Sequence, residues 1–363
     1  MITSMEKMVR IPETLRNDSP LAPAPAALAH GGALAQARLL FPHAPEPFLD
    51  LSTGINPVPY PMPALDTAAF TRLPEPDDEI RLRHAAAEAY DVSHPDMVVA
   101  APGTQMLISL LPSLLARPPG RVAILSPTYS EHAAVWKRAG HTVQEMESPA
   151  ALANADIAVI CNPNNPDGRR VPACELRAIA DILAARAGIL IVDESFADLE
   201  PDGISLAAFL PHPAVIILRS FGKSYGLAGL RLGFAVAALE HAATLRQSFG
   251  SWAISGPALA IGIAALRDKK WREAAKLRLD ADVARLDAEV MGQGASFIGG
   301  TRLFRLYEHP AATAIHDRLG AQGVLVRRFE AHPTRLRFGL PGSEACWMRL
   351  EAALAQVHTP PIS

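Results

Sequence analysis

Residues 220–234 read SFGKSYGLAGLRLGF, a glycine-spaced loop that carries one lysine and runs into an apolar segment. A lysine forms a Schiff base with an aldehyde cofactor only when its amine is at least partly deprotonated, and burial near other positive charge lowers its pKa toward that state. Lys223 has that setting. Gly222, Gly226 and Gly229 let the backbone turn tightly and approach a ligand, Ser220 offers a hydroxyl three residues before the lysine, and Arg231 adds a fixed cation eight residues after it. Upstream, GILIVD (188–193) is a buried-type strand ending on Asp193, and a carboxylate at the C-terminal end of a strand in an α/β sheet sits where ligands bind. NPNNPDG (162–168) follows the apolar strand DIAVI as an Asn- and Pro-rich turn. Three strand-end signals in order, Asn-rich turn, aspartate and lysine, point to one site.

The elements that must position these groups follow from periodicity. MVVAA (97–101), RVAIL (121–125), HTVQEM, DIAVI, ILIVD, AVIILRS and RLGFAV read as strands alternating with helices such as DDEIRLRHAAAEAY and PACELRAIADILAARAG. That alternation predicts a mainly parallel seven-stranded sheet sandwiched between helical layers, an α/β fold. MVVAA leads through Pro102 into Gly103, Thr104 and Gln105 and then the helix MLISLLPSLLA. Free N–H groups and the positive dipole end at such a helix start make these three residues a phosphate cradle. After about residue 240 the pattern changes to long helices, including DKKWREAAKLRLDADVARLDAEVMG, interspersed with SFIGG, TRLFRLYE, VLVRRF and TRLRFGL, which predicts a smaller α+β domain. The expected boundaries are a Pro- and Ala-rich tail or arm over 1–48, a large domain over 49–240 whose first segment contributes to the small domain, and the small domain over 241–363.

Composition excludes several function classes. With 363 residues, 49% hydrophobic and 20% charged, the chain can bury one large core and a smaller second one. A formal net charge of −3 without a basic block leaves no electrostatic footprint for nucleic acid. Cys161, Cys174 and Cys346 form an odd set without CxxC spacing, so neither a disulfide framework nor a zinc site is expected, and a reducing cytoplasm fits. The twelve histidines show no HExxH-type pair, and no metal is expected. No stretch of about 18 uncharged apolar residues is present to span a membrane.

The order NPNNPDG, VDES, SFGKSYGLAGLRLGF resembles the pyridoxal-phosphate enzymes of the aspartate aminotransferase fold (fold type I), in the branch near histidinol-phosphate aminotransferase. His30-Gly31-Gly32, LDLSTGINPVPYP (49–61) and VDESFADL (192–199) most resemble the threonine-phosphate decarboxylases of that branch. The resemblance implies pyridoxal 5'-phosphate joined to Lys223, with Asp193 pairing the ring nitrogen and Tyr129 stacking on the ring. It further implies that Asn165 donates to the phenolic oxygen, and that Ser220 and Arg231 join Gly103, Thr104 and Gln105 around the phosphate. Arg337, Arg327, Asn56 and Asn165 are the implied substrate contacts, two inward arginines suiting a carboxylate and a phosphate on one molecule. Two positions depart from the aminotransferase pattern: Phe196 stands where a tyrosine commonly donates to the phenolic oxygen, and Leu73-Pro74 where a YP segment reaches across the dimer. The implied protein is a homodimer that decarboxylates L-threonine O-3-phosphate to (R)-1-amino-2-propanol O-2-phosphate and CO2. The alternative is an aminotransferase for histidinol phosphate or a related phosphorylated amine. A pyridoxal-phosphate-binding regulator would need an attached DNA-binding module, and the first 28 or so residues are too short and too poor in basic residues for one.

Overall fold

In the computed structural model, residues 31–115 and 118–356 are described. Among the described residues, twelve strands divide between two sheets. The large sheet uses β2 (Val98–Ala101), β3 (Arg121–Leu125), β4 (Thr142–Met146), β5 (Ile157–Cys161), β6 (Ile189–Asp193), β7 (Val215–Arg219) and β8 (Gly233–Ala237), in the order β2-β8-β7-β6-β5-β3-β4. All pairings are parallel except those of β8, which runs antiparallel to both β2 and β7. These are the seven strands expected from the apolar runs.

The central strands are buried on both faces, so their side chains alternate between two cores. Leu190 and Val192 of β6 enter one core with Leu82 of the helix Pro76–Ala89 and with Leu176 and Ile179 of the helix Ala173–Ala184. Ile189 and Ile191 enter the other, with Leu107 and Leu111 of the helix Thr104–Leu115 and Val135 and Trp136 of the helix Ser130–Arg138. The strand ends that carry Cys161, Asp193 and Arg219 therefore emerge from a rigid layer at one edge.

The small sheet joins β1 (Leu49–Leu51), β9 (Ser296–Thr301), β10 (Phe304–Glu308), β11 (Val324–Phe329) and β12 (His332–Phe338) in the order β1-β11-β12-β10-β9. β1 lies parallel to β11, Leu49 opposite Val324, and the remaining pairs are antiparallel. β1 thus lies in the five-stranded sheet. The arm expected over 1–48 is corrected for its described part: Ala37 of the helix Leu34–Leu40 and Phe48 pack on Leu325 of the small sheet. Residues 1–30, including His30, lie outside the described residues.

The boundary expected at 240 also moves. Ala258, Leu259, Ala265 and Leu266 of the helix Gly256–Arg267 belong to the large core. Ala275, Leu279 and Leu286 of the helix Lys269–Met291 belong to the small one. Asp268 caps that second helix by accepting from the Trp271 N–H at 2.9 Å, and Trp271 packs against both cores, so the change of domain falls at 268–271. The composition of 256–267 suits either core; packing alone decides.

Gly168 marks where the large domain touches the small sheet. Its φ is +70°, and a Cβ there would collide with the backbone of Gly300 in β9. Combining a left-handed backbone with a backbone clash, Gly168→Ala is expected to cost about 2–4 kcal/mol. Urea unfolding of the full chain checks it; a midpoint equal to wild type would show that the contact yields freely.

Candidate active site

The strand ends and the small domain enclose a cavity of about 310 Å3 whose walls include Lys223, Asp193, Tyr129, Asn165, Arg231 and Arg337. Lys223 sits in the short helical turn Phe221–Ser224 that follows β7, its Nζ donating to Ser220 Oγ at 3.3 Å and lying 5.2 Å from the centre of the Phe196 ring. Burial pushes its amine pKa down, assisted by the Arg337 and Arg231 guanidiniums and opposed by Asp193 and Cys161. The sequence expectation for this lysine required that environment.

Arg231 is held at φ 55°, a left-handed conformation that a side-chain-bearing residue adopts at a cost, and its guanidinium lies against Gly103 where a Cβ would stand. Gly103 itself has φ +87°, which suits glycine, and opens the helix Thr104–Leu115. Ser220, Gly103, Thr104 and Arg231 all line the cavity. Free N–H groups, a hydroxyl and a guanidinium there make a cup for a phosphate dianion. Thr104 Oγ1 donates to the Arg219 carbonyl at 3.0 Å, fixing the helix start to the end of β7. Gln105 has a different use from the one expected: its Oε1 accepts from the Tyr129 hydroxyl at 3.2 Å and its Nε2 donates to Glu131, so it sets the position of the Tyr129 ring. Burial, with Glu131 and Asp193 adding to it, raises the Tyr129 phenol to about 12, so it stays protonated.

Asp193 is buried, its Oδ1 accepting from the Ser195 N–H at 3.0 Å and its Oδ2 lying 2.9 Å from His132 Nε2. Burial works against its charge, but the His132 hydrogen bond and charge outweigh it and hold the carboxyl at about 2. Burial likewise opposes charge on His132, and Cys161 and Asp193 overcome it, lifting the imidazole to about 10. His132 is the functional residue that sequence reading missed. It lies three residues after Tyr129 on the helix Ser130–Arg138, and no spacing rule connects position 132 to 193.

Arg337 on β12 is buried, donating through Nη1 to Asn165 Oδ1 and through Nη2 to the Ser52 carbonyl at 2.8 Å. Its Nε has no partner among the described residues. Burial and the nearby Arg327 lower its pKa to about 10. A buried cation with an unused donor in a cavity wall fits an anionic ligand group. Arg327 stands directly across from Arg337 in the β11–β12 register, half-buried, but outside the cavity wall.

Asn56 corrects an expectation. Its Nδ2 donates to the Ser224 carbonyl at 2.9 Å, its Oδ1 accepts from Val58 N–H and, at 2.8 Å, from Arg278 Nη2, and its own N–H donates to the Lys223 carbonyl at 2.8 Å. The amide is spent on the protein and does not line the cavity, so Asn56 anchors the lysine turn. Phe196 forms an apolar wall, edge-on to Phe304 at 4.9 Å. Leu73 is exposed.

A parallel-sheet edge bearing a buried lysine, a paired aspartate and a phosphate cup defines an enzyme of the aspartate aminotransferase-like fold. The chain belongs to the class I and II aminotransferase family, whose model matches residues 46–349. A threonine-phosphate decarboxylase from Pseudomonas aeruginosa is 42% identical over 92% of this chain and 99% of its own length, and one from Sinorhizobium sp is 43% identical over the same shares. A histidinol-phosphate aminotransferase from Sinorhizobium fredii is 31% identical over 61% of this chain and 63% of its own. Among solved structures, histidinol-phosphate aminotransferase from Sinorhizobium meliloti in complex with pyridoxal-5'-phosphate superposes with a TM-score of 0.76 at 21% identity, covering 92% of this chain and 98% of that one. That likeness establishes the fold.

The His132–Asp193 pair ties stability to pH. An imidazole raised in the folded state stabilises fully below its unfolded pKa of roughly 6.5, and that stability is lost as pH rises through about 10. Wild-type unfolding free energy in the cofactor-free protein should therefore fall across that window, and His132→Asn should flatten the fall. Parallel slopes for the two proteins in pH-dependent denaturation would remove His132 from the account.

Proposed function

We propose that this chain binds pyridoxal 5'-phosphate and decarboxylates L-threonine O-3-phosphate, giving (R)-1-amino-2-propanol O-2-phosphate and CO2. The observation that carries the reading is the 42–43% identity, across nearly the full length of both chains, to two threonine-phosphate decarboxylases. The residues fit the cofactor: an amine of lowered pKa for its aldehyde, a phosphate cup at Gly103, Thr104, Ser220 and Arg231, and a buried carboxylate for its ring nitrogen. When bound, the cofactor supplies an electron sink for charge developing at the substrate's Cα.

The chain's own groups do the rest. Asp193, kept ionised by His132, favours a protonated ring nitrogen, and Tyr129, steered by Gln105, offers its ring face for stacking. Asn165, whose Oδ1 accepts from Arg337, would donate through its amide to the phenolic oxygen. Arg337, a buried cation in the cavity wall, binds a substrate anion, and Arg327 across from it on β11 is the candidate for a second. The bond that breaks is the one held perpendicular to the ring, so the groups that grip the carboxylate and phosphate select the reaction. Lys223 Nζ, once released from the cofactor, would carry a proton as its ammonium and deliver it to Cα as the general acid. Exposed Phe70 and Leu73 beside the helix Gly256–Arg267 offer apolar surface to a second copy, which fits a homodimer. The free cysteines, and the absence among the described residues of any helix able to cross a membrane, are compatible with work in the cytoplasm.

Lys223→Ala should lose the visible absorbance of the loaded protein and the borohydride-fixed cofactor adduct at position 223. An adduct mapped to another lysine would overturn the anchor.

Reaction choice gives the second test. Threonine phosphate should release CO2 while plain threonine reacts very poorly, and Arg337→Ala or Arg327→Ala should lower kcat/KM by roughly 2–4 kcal/mol as a bound anion loses its partner. The same preparation given histidinol phosphate and a 2-oxo acid should transfer little amino group. Dominant amino transfer without CO2 release would favour the aminotransferase reading instead.

A further inference from the structure

Three side chains with no sequence relationship meet beside the cavity: His132 from the helix Ser130–Arg138, Cys161 from the end of β5 and Asp193 from the end of β6. All three are buried, and their ligand atoms lie within 4.8 Å of one another. His132 Nε2 is 2.9 Å and Cys161 Sγ 3.9 Å from the same oxygen, Asp193 Oδ2. In a tetrahedral zinc site with metal–ligand bonds of about 2.0–2.3 Å, ligand atoms stand roughly 3.3–3.8 Å apart. Reaching that spacing requires the His132–Asp193 pair to open from 2.9 Å and the Cys161–Asp193 pair to close from 3.9 Å.

We propose that, in the cofactor-free protein, His132, Cys161 and Asp193 bind one thiophilic divalent cation of the zinc type, and that this ion and the cofactor exclude one another from the pocket. Imidazole, thiolate and carboxylate are the ligand types that zinc and cobalt(II) accept together. Cys161 and Asp193 face the cavity, which leaves a fourth coordination position open to water. The Ser195 N–H on Asp193 Oδ1 orients the carboxylate from behind, as outer partners do in built metal sites.

Metal binding requires the thiolate and the neutral imidazole, so any protons on Cys161 and His132 pass to solvent as the ion enters. Exclusion follows because the cofactor ring, in the reading above, claims the Asp193 carboxylate. The metal arm needs no cofactor and stands if that reading fails.

The probe is cobalt(II), titrated into the full-length protein prepared without cofactor and with its thiols reduced. One equivalent should bind, giving tetrahedral visible bands and a thiolate-to-cobalt charge-transfer band in the near ultraviolet. Cys161→Ser should abolish the charge-transfer band and weaken binding at least tenfold, and His132→Asn should weaken it similarly. The double variant Cys174→Ser/Cys346→Ser should keep the full spectrum, so the result does not depend on one variant folding. Protein first loaded with pyridoxal phosphate should show no cobalt band. A charge-transfer band that survives in folded Cys161→Ser, or is absent from the Cys174→Ser/Cys346→Ser protein, would overturn the site. Equal cobalt uptake at the cluster with the cofactor fixed on Lys223 would overturn the exclusion.

Discussion

Charges at the ends of the central strands have almost no water to solvate them, so each must be held by a partner, and the site is built around that constraint. The period of two along β6 and β7 divides the work. Asp193 turns to the cavity, whereas the next residue, Glu194, turns to the interior; Ser220 faces the cup, and the preceding Arg219 faces the interior. Arg219 binds Glu194 at 2.9 Å and Asp198 at 2.7 Å, with its guanidinium over the Tyr90 ring at 4.8 Å. Glu194 also accepts from Ser205 Oγ and the Leu206 N–H. Leaving such a charge unpaired costs about 3–5 kcal/mol, enough to disturb both strand ends at once. This interior ion cluster is therefore the foundation on which the cavity-facing pair Asp193 and Ser220 is aligned.

The lysine turn depends on a second set of ties. Asn56 reaches it from a segment more than 160 residues earlier in the chain and joins it to Arg278 on the first long helix of the small domain. An aromatic stack runs alongside: Phe221 on Tyr225 at 4.3 Å, Tyr225 on Trp271 at 5.4 Å, with Tyr60 edge-on to both Tyr225 and Trp271. Trp271 lies where the chain passes from one domain to the other. The lysine is consequently connected to both domains through packed rings and saturated amides, an arrangement that resists drift of its amine within the cavity.

Much of this was legible in the sequence because chemistry and burial coincide there. A charged residue closing a run such as ILIVD has few structural explanations, and Lys223 within a glycine-spaced loop has few as well, so Asp193, Lys223, Ser220 and Arg231 could be read directly. The seven strands were equally clear, being short apolar runs separated by helices. His132 was not, since a histidine on the helix SEHAAVWKR reads as one more polar residue until folding sets it against β6. Asn56 misled for the opposite reason: its turn signal was sound, but its partners lie on the lysine turn and the helix Lys269–Met291. The domain boundary failed because GPALAIGIAALR carries small apolar residues that suit whichever core is nearer.

The pairing of β1 with β11 has a consequence for how the molecule is made. Leu49 needs Val324 beside it, so the edge of the small sheet must wait through some 275 residues of synthesis before it can close. Until then β1 is an unpaired strand leaving the ribosome with its hydrogen-bonding edge open, a state that invites mispairing. The large sheet, whose strands lie between residues 98 and 237, can assemble meanwhile. The nascent chain thus passes through a stage in which one layer can form while its earliest strand still has no neighbour.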